Sequence, residues 1–378
     1  MKKPIFLFAM AFATSFAMAQ NAAIVTQTGN NHKADVTQIN GSNNATVTQN
    51  GGDANRLGAV TSTDPGIYAN GPEDITLGKG LVQDGNGNNA TITQSGNSNV
   101  IQQYRNYPTI QVHNSVYQKG NNNEISMDQL GDNNVIGQAN HEYNGLDQKG
   151  NGNLANILQQ GDANKLSVFY QLYDGNTAKI DQIGNGNRID GASQMKQDNV
   201  SPLNNVLNIL QQGNSNIITK ANEQGDNITG DIKQYGNSNT ASTQLTHSYA
   251  FGDIDQIGNS NTATLTINQS YVGDNNSGSI YQEGDFNKAT EMIGQSNNAI
   301  TSTDNDMDIS QYGTSNDADI LIEGSLNNAE IMQDGIGNIA DIIQKGNSNS
   351  GSVSSTGNGH LATILQTGNS NLATVIQH

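Results

Sequence analysis

Residues 333–378 read QDGIGNIADIIQKGNSNSGSVSSTGNGHLATILQTGNSNLATVIQH, one phrase repeated four times. Gln333, Gln344, Gln366 and Gln377 fall on an eleven-residue beat, with Ser355 on the missing stroke. The phrase divides into N-x-A-x-x-x-Q and x-G-x-x. In the longer part, an extended chain sends successive side chains to opposite faces. Asn338, Ala340, Ile342 and Gln344 then share one face, while Ile339, Asp341 and Ile343 share the other. Asn371, Ala373, Val375 and Gln377 separate from Leu372, Thr374 and Ile376 in the same way. One face is nearly constant and the other varies. A constant face of Ala and a branched aliphatic between two amides suits a narrow buried interior.

The shorter part is a turn, because Gly tolerates positive φ and Asn adopts the left-handed region more readily than most residues. Gly335, Gly346 and Gly368 mark these turns, followed by Asn338, Asn349 and Asn371. Strand, turn, strand, turn closes a coil of about 22 residues, two beats long. Moving outward, the G-x-x-N element recurs from Gly85/Asn88 to Gly368/Asn371. The expected fold is therefore all-β: a β-solenoid of stacked strand-turn-strand coils, amyloid-forming, in which Asn meets Asn and Gln meets Gln one layer up.

Composition agrees. The chain has 378 residues, 33% hydrophobic, with no Trp and no Cys. That leaves little for the core of a large globular enzyme and excludes disulfides and thiolate metal sites. A net charge of −18 speaks against nucleic acid and anionic lipid as partners. It also slows self-association without forbidding it, since salt screens it. Lys2 and Lys3 precede an apolar run ending in Ala17-Met18-Ala19, so residues 1–19 read as a signal peptide. The run is short for a membrane anchor, and no other span is expected.

The repeat is taken to fill 20–378, with irregular insertions near 52–81, 104–110, 190–207, 242–252 and 300–306. Proline supports loops there, because it cannot donate to a strand ladder. Pro65, Pro72, Pro108 and Pro202 all fall in or near these stretches. From Gln311 onward the beat runs unbroken.

The phrase resembles the curlin repeat of curli-type functional amyloids, S-x5-Q-x-G-x-x-N-x-A-x3-Q. Gln333, Gly335, Asn338, Ala340 and Gln344, then Gly346 and Asn349, match it position by position. The chain departs in its length and in strands that open mostly with Asn. The resemblance implies a secreted structural subunit that polymerises into extracellular fibres at the bacterial cell surface, for biofilm matrix and adhesion. Its implied partners are further copies of itself, a nucleator subunit and an outer-membrane secretion channel.

No catalytic, cofactor or metal site is expected. His32 and His360 occupy the Asn position of the turn, and the other histidines do not cluster with carboxylates. Asp132, Asp162, Asp226, Asp274 and Asp285, and the run Asp304, Asp306, Asp308, lack the spacing of a calcium-binding β-roll and read as solvated charge. Two other readings stay open. Thr46/Thr48, Thr91/Thr93 and Thr264/Thr266 have the T-x-T form of a monomeric ice-binding or adhesin solenoid, and the Asn, Gln and Gly enrichment also suits a chain disordered before assembly. The residues expected to carry the structure are Gln333, Gly335, Asn338, Ala340, Ile342, Gln344, Gly346, Asn349, Gln366, Gly368, Asn371, Ala373 and Gln377.

Overall fold

The computed structural model describes residues 20–58, 80–101, 115–137, 145–195, 204–246, 248–268, 275–294 and 302–378. The segment read as a signal peptide and the four prolines of the repeat region lie outside them. The chain winds through two facing sheets, crossing each once per coil. The first sheet has 14 strands, from Ala22–Asn30 at one end to Leu372–Gln377 at the other. The second has 19, because in the N-terminal coils each crossing is split, as in Arg56–Leu57 and Leu81–Asp84. From Ile217–Gln224 onward each crossing is a single strand. That strand joins the two regimes: it pairs with Arg188–Ile189 and Ala192–Met195 on one side and with Thr240–Thr246 on the other, through a register shift between Ile218 and Lys220.

Every pairing is parallel, and apart from two single-residue shifts the strands are in register, so like positions stack. Ala318, Ala340 and Ala362 form one column, and Ile320, Ile342 and Ile364 the next. A one-residue slip would turn these columns outward, which is why the two-residue period fixes the register. The core between the sheets is a single strip of buried aliphatic side chains running from Ala45 and Val47 to Ala362 and Ile364. Each fully buried Ile or Leu stabilises by about 1.5–3 kcal/mol.

Coil length is 22 residues between Gln234 and Gln256 and between Gln311 and Gln333, but 45 between Gln49 and Gln94 and 29 between Gln282 and Gln311. The added residues fall in sequence within or after the second-sheet crossing. In the N-terminal coils they fall between the two short strands of the second sheet, as between Ile101 and Val116 or Ile136 and Leu146. Further on they follow the second-sheet strand, between Met195 and Val206, Ile267 and Ser277, and Ile293 and Asp306. First-sheet strands and the turns after them are lengthened only by a one-residue bulge, where Thr28 and Asn30 face Asn50 and Asp53.

Strands reach into several of the expected insertions. Within 242–252, Thr240–Thr246 is a strand, and Thr229 stands under Phe251 in the next layer. The phrase is disguised there, since Leu245 replaces a ladder Gln and Gly252 an Ala. Near 300–306, residues 302–305 belong to the repeat, with Asn305 in the corner column and Asp306 opening a strand. Within 190–207, Ala192–Met195 is a strand and Val206 begins another. Within 52–81, Arg56–Leu57 is a strand and Leu81 begins the next. The interval 104–110 lies outside the described residues.

Candidate functional site: stacked ladders and turn corners

The glutamines that close each first-sheet strand form a continuous chain. Gln27 Nε2 donates to Gln49 Oε1, Gln49 to Gln94, and so on through Gln129, Gln159, Gln182, Gln211, Gln234, Gln256, Gln282 and Gln311 to Gln333, at 2.6–2.9 Å. From Gln49 to Gln333 the second proton of the amide reaches a backbone carbonyl of the facing sheet, as Gln333 to Asp317, and on the second sheet Gln344 reaches Asn328 in the same way. Each Gln therefore ties its own layer to the next and one sheet to the other. Buried amides with both protons paired avoid the penalty of about 1–3 kcal/mol for an orphaned polar group. Ser355 interrupts this chain after Gln333 and donates through Oγ to Gln377. On the second sheet, Gln344 donates to Gln366.

Asparagine works differently. Asn338 Oδ1 accepts the backbone N–H of His360 in the next layer, and its Nδ2 donates to the Gly357 carbonyl. Asn349 repeats this with the N–H of Asn371 and the carbonyl of Gly368. The corner amide thus satisfies turn backbone that no strand ladder reaches. His32 stands in for Asn: its Nδ1 faces the N–H of Asn55 at 3.3 Å.

Glycine is required at the corner twice over. Gly335 has φ +136°, and a Cβ there would lie 1.8 Å from the Gly357 carbonyl oxygen. For Gly346, with φ +120°, the distance to the Gly368 oxygen would be 2.0 Å.

A third ladder escaped the sequence reading. The residue after the turn Gly accepts, through Oδ1, the backbone N–H of its counterpart in the layer before: Asn97 donates to Asp132, Asp132 to Asp162, Asp162 to Asn185, and Asn259 to Asp285. The signal was present as the recurring Gly-Asn or Gly-Asp pair. It also gives Asp132, Asp162 and Asp285 a structural task beyond solvated charge.

The structure places Asn338, Ala340, Ile342 and Gln344 in the core and Asn349 in the buried corner column. Gln333 is buried on the opposite sheet and Gln366 nearly so. Ala373 and Gln377, on the last strand, are only half-buried. Thr46/Thr48 and Thr91/Thr93 stack in the outer face of the first sheet over Ile24 and Thr26, but Ser126 and Asp128 end the array one layer later. Thr264/Thr266 belong to the other sheet.

One residue in each corner adopts φ near +60°. Polar residues such as Ser315 and Ser348 usually hold it, but Phe286, Leu326 and Tyr249 do so too, each more than half exposed. A bulky side chain in the left-handed region costs about 1–2 kcal/mol. Leu326→Asn is therefore expected to stabilise the stack by about 0.5–1 kcal/mol, read as a higher denaturant midpoint. An unchanged or lower midpoint would mean that Leu326 makes a contact that offsets its strain.

The repeat geometry has a counterpart among known families. Residues 225–266, 303–335, 337–368 and 346–378 each match the curlin associated repeat. The C-terminal half thus carries repeats similar to curlin associated repeats. The curlin repeat family consists of structural subunits, not enzymes, and its self-assembling character follows from a repeat whose layers are interchangeable. No curated protein matches the chain. The curlin matches cover stretches where coils are close to 22 residues, and the first of them spans 242–252.

Proposed function

We propose that this curlin-repeat protein is a secreted subunit that assembles into curli-like amyloid fibres of a bacterial biofilm matrix, where it also supports cell adhesion. The reading gives residues 1–19 the role of an export signal and assigns a nucleator subunit and an outer-membrane channel as partners. The observation that carries it is the in-register first sheet of 14 strands with a Gln chain along its interior. Among the described residues its outermost strands, Ala22–Asn30 and Leu372–Gln377, each pair on one edge only. Such edges offer unpaired N–H and C=O groups to a further copy. A copy that adds in register continues the backbone ladder and the amide columns together.

The seed is assigned to the C-terminal coils. Asp306, Asn328, Ser350 and Leu372 stand in successive layers with no added residues, so ordering there involves no loop closure. Fibres of a peptide spanning Gln333 to Gln377 are expected to give a meridional reflection at about 4.7–4.8 Å and to seed the full chain. A peptide spanning 52–81 is expected to do neither. A soluble, disordered C-terminal peptide alongside a fibrillating one from Gln83 to Gln159 would move the seed to the N-terminal coils. A full chain that never forms fibres would overturn the assembly reading itself.

A further inference from the structure

Two carboxyl groups stand inside the core, where the repeat calls for Gln or an aliphatic residue. Glu223 takes the Gln position of the second sheet, between Gln194 and Leu245. Glu291 takes the branched-aliphatic position, between Leu265 and Ile320. Both are at most 1% exposed. Each faces a glycine where most first-sheet strands carry Ala or a larger residue. A Cβ on Gly230 would lie 2.8 Å from Glu223 Oε1, and one on Gly278 would lie 2.7 Å from Glu291 Oε2. The two glycines are thus the notches that admit the acids.

Their partners are few. Gln194 Nε2 donates to Glu223 Oε2 at 2.7 Å, but Glu223 Oε1 and both oxygens of Glu291 lack a partner of ordinary hydrogen-bond geometry, with only the Gly230 backbone near Glu223 Oε1 and the Ile309 and Ser279 backbone amides near Glu291. Among the described residues no cation reaches either group. Around Glu291, the facing strand 306–314 brings Asp306 and Asp308; the neighbouring strand 317–323 carries Asp317, Asp319 and Glu323. The facing strand 277–285 carries Tyr281, Glu283 and Asp285, the strand 262–267 has no titratable group, and Lys288 of its own strand is engaged by Asp317. Around Glu223, Lys220 of its own strand and Lys233 of the facing strand point outward to Gln244 and Asp231. Asp231 shares the facing strand 229–237, Lys179 and Asp181 pair with each other on 177–183, and the neighbouring strands 192–195 and 240–246 and the facing strand 206–214 carry no charge.

An isolated carboxylate in such a place would cost far more than protonating it. We infer that Glu223 and Glu291 enter the core as neutral carboxylic acids, so that closing these coils takes up two protons and is favoured by mild acid. Burial, as the largest cause, pushes both well above the ordinary value of 4.5; for Glu291, Asp308 and Asp306 push it further, against weaker opposition from the Ile309 and Ser279 backbone amides. For Glu223 the Gln194 amide and then the Gly230 backbone act the other way. The sign follows from linkage. Below pH 4.5 the free chain is already protonated and ordering is unopposed; as pH rises toward the folded values, each acid lowers the ordering equilibrium by about tenfold per pH unit. Two acids acting together lower it by about a hundredfold.

The inference concerns closure of the coil stack, whether alone or in a fibre. It is tested by ordering the full-length chain from denaturant in unbuffered solution at pH 6.5 and titrating the protons absorbed. The Glu223→Gln/Glu291→Gln double variant is expected to absorb about two fewer protons per chain than the parent and to lose most of the dependence of ordering on pH between 5 and 8. A second double variant, Glu223→Gln/Glu291→Ile, restores the aliphatic column and serves if the first fails to order. The same proton count in parent and variant would overturn the inference and assign any pH dependence to the surface carboxylates.

Discussion

Replacing Ile342 by lysine is expected to destabilise the C-terminal coils by about 3–5 kcal/mol, the usual penalty for an uncompensated charge in a core, whereas Asp341→Lys is expected to stay within about 0.5 kcal/mol of the parent. The two residues are neighbours in one strand and differ only in the face they occupy. Ile342 is fully buried between Ile320 and Ile364, with its Cγ2 toward Gly351 of the facing strand. An ammonium there would stand in a column of isoleucines. Asp341 points outward between Asp319 and Thr363, and burial followed by Asp319 and Asp317 pushes its carboxyl up. A lysine in its place would relieve that repulsion. The check is the denaturant concentration that dissolves the assembled chain, together with the lag before dye binding. Equal behaviour of the two variants would show that the faces are assigned the wrong way round.

The second large effect is expected at the corner. Gly335→Ala should destabilise the stack by more than the about 1–3 kcal/mol of backbone strain alone, because the new Cβ would collide with the Gly357 carbonyl one layer up. Relief requires the layers to part, which breaks the bonds that Asn338 makes to the same carbonyl and to His360. Gly337→Ala supplies the control. Gly337 has φ +67° with nothing within 4 Å of its Cβ position, and Ala163 already holds such a conformation in another coil. Its cost should be about 1 kcal/mol. The comparison reads out as two denaturation midpoints, and similar losses at both sites would mean that strain, not interlayer contact, governs the corner.

Much of this was legible in the sequence, for a particular reason. A stacked coil forces identical residues into contact, so Asn338, Ala340 and Gln344 announce their face by recurring. The reading failed where size, not identity, was repeated. Leu245, Gly252 and Tyr249 form an ordinary coil because a larger residue in one sheet is matched by a smaller one opposite, a trade invisible to a motif. The same trade hid Glu223 and Glu291, which look like surface charge until Gly230 and Gly278 are seen across from them. The division of labour between amides was also hidden: spacing alone cannot tell that Gln bonds to Gln while Asn bonds to turn backbone.

The direction of the Gln chain has a last consequence. From Gln27 to Gln333 every side-chain amide donates toward the C-terminal end and accepts from the N-terminal end. Aligned amide dipoles add, as they do along a helix. The N-terminal end presents the Gln27 side-chain carbonyl oxygen, and beyond the Ser355 interruption the C-terminal end presents the Gln377 amide N–H. The stack is therefore electrically a rod with two unlike poles. Two copies meeting head to tail would continue the column, whereas two meeting head to head would set oxygen against oxygen, so the interior amides favour filaments whose subunits all point the same way.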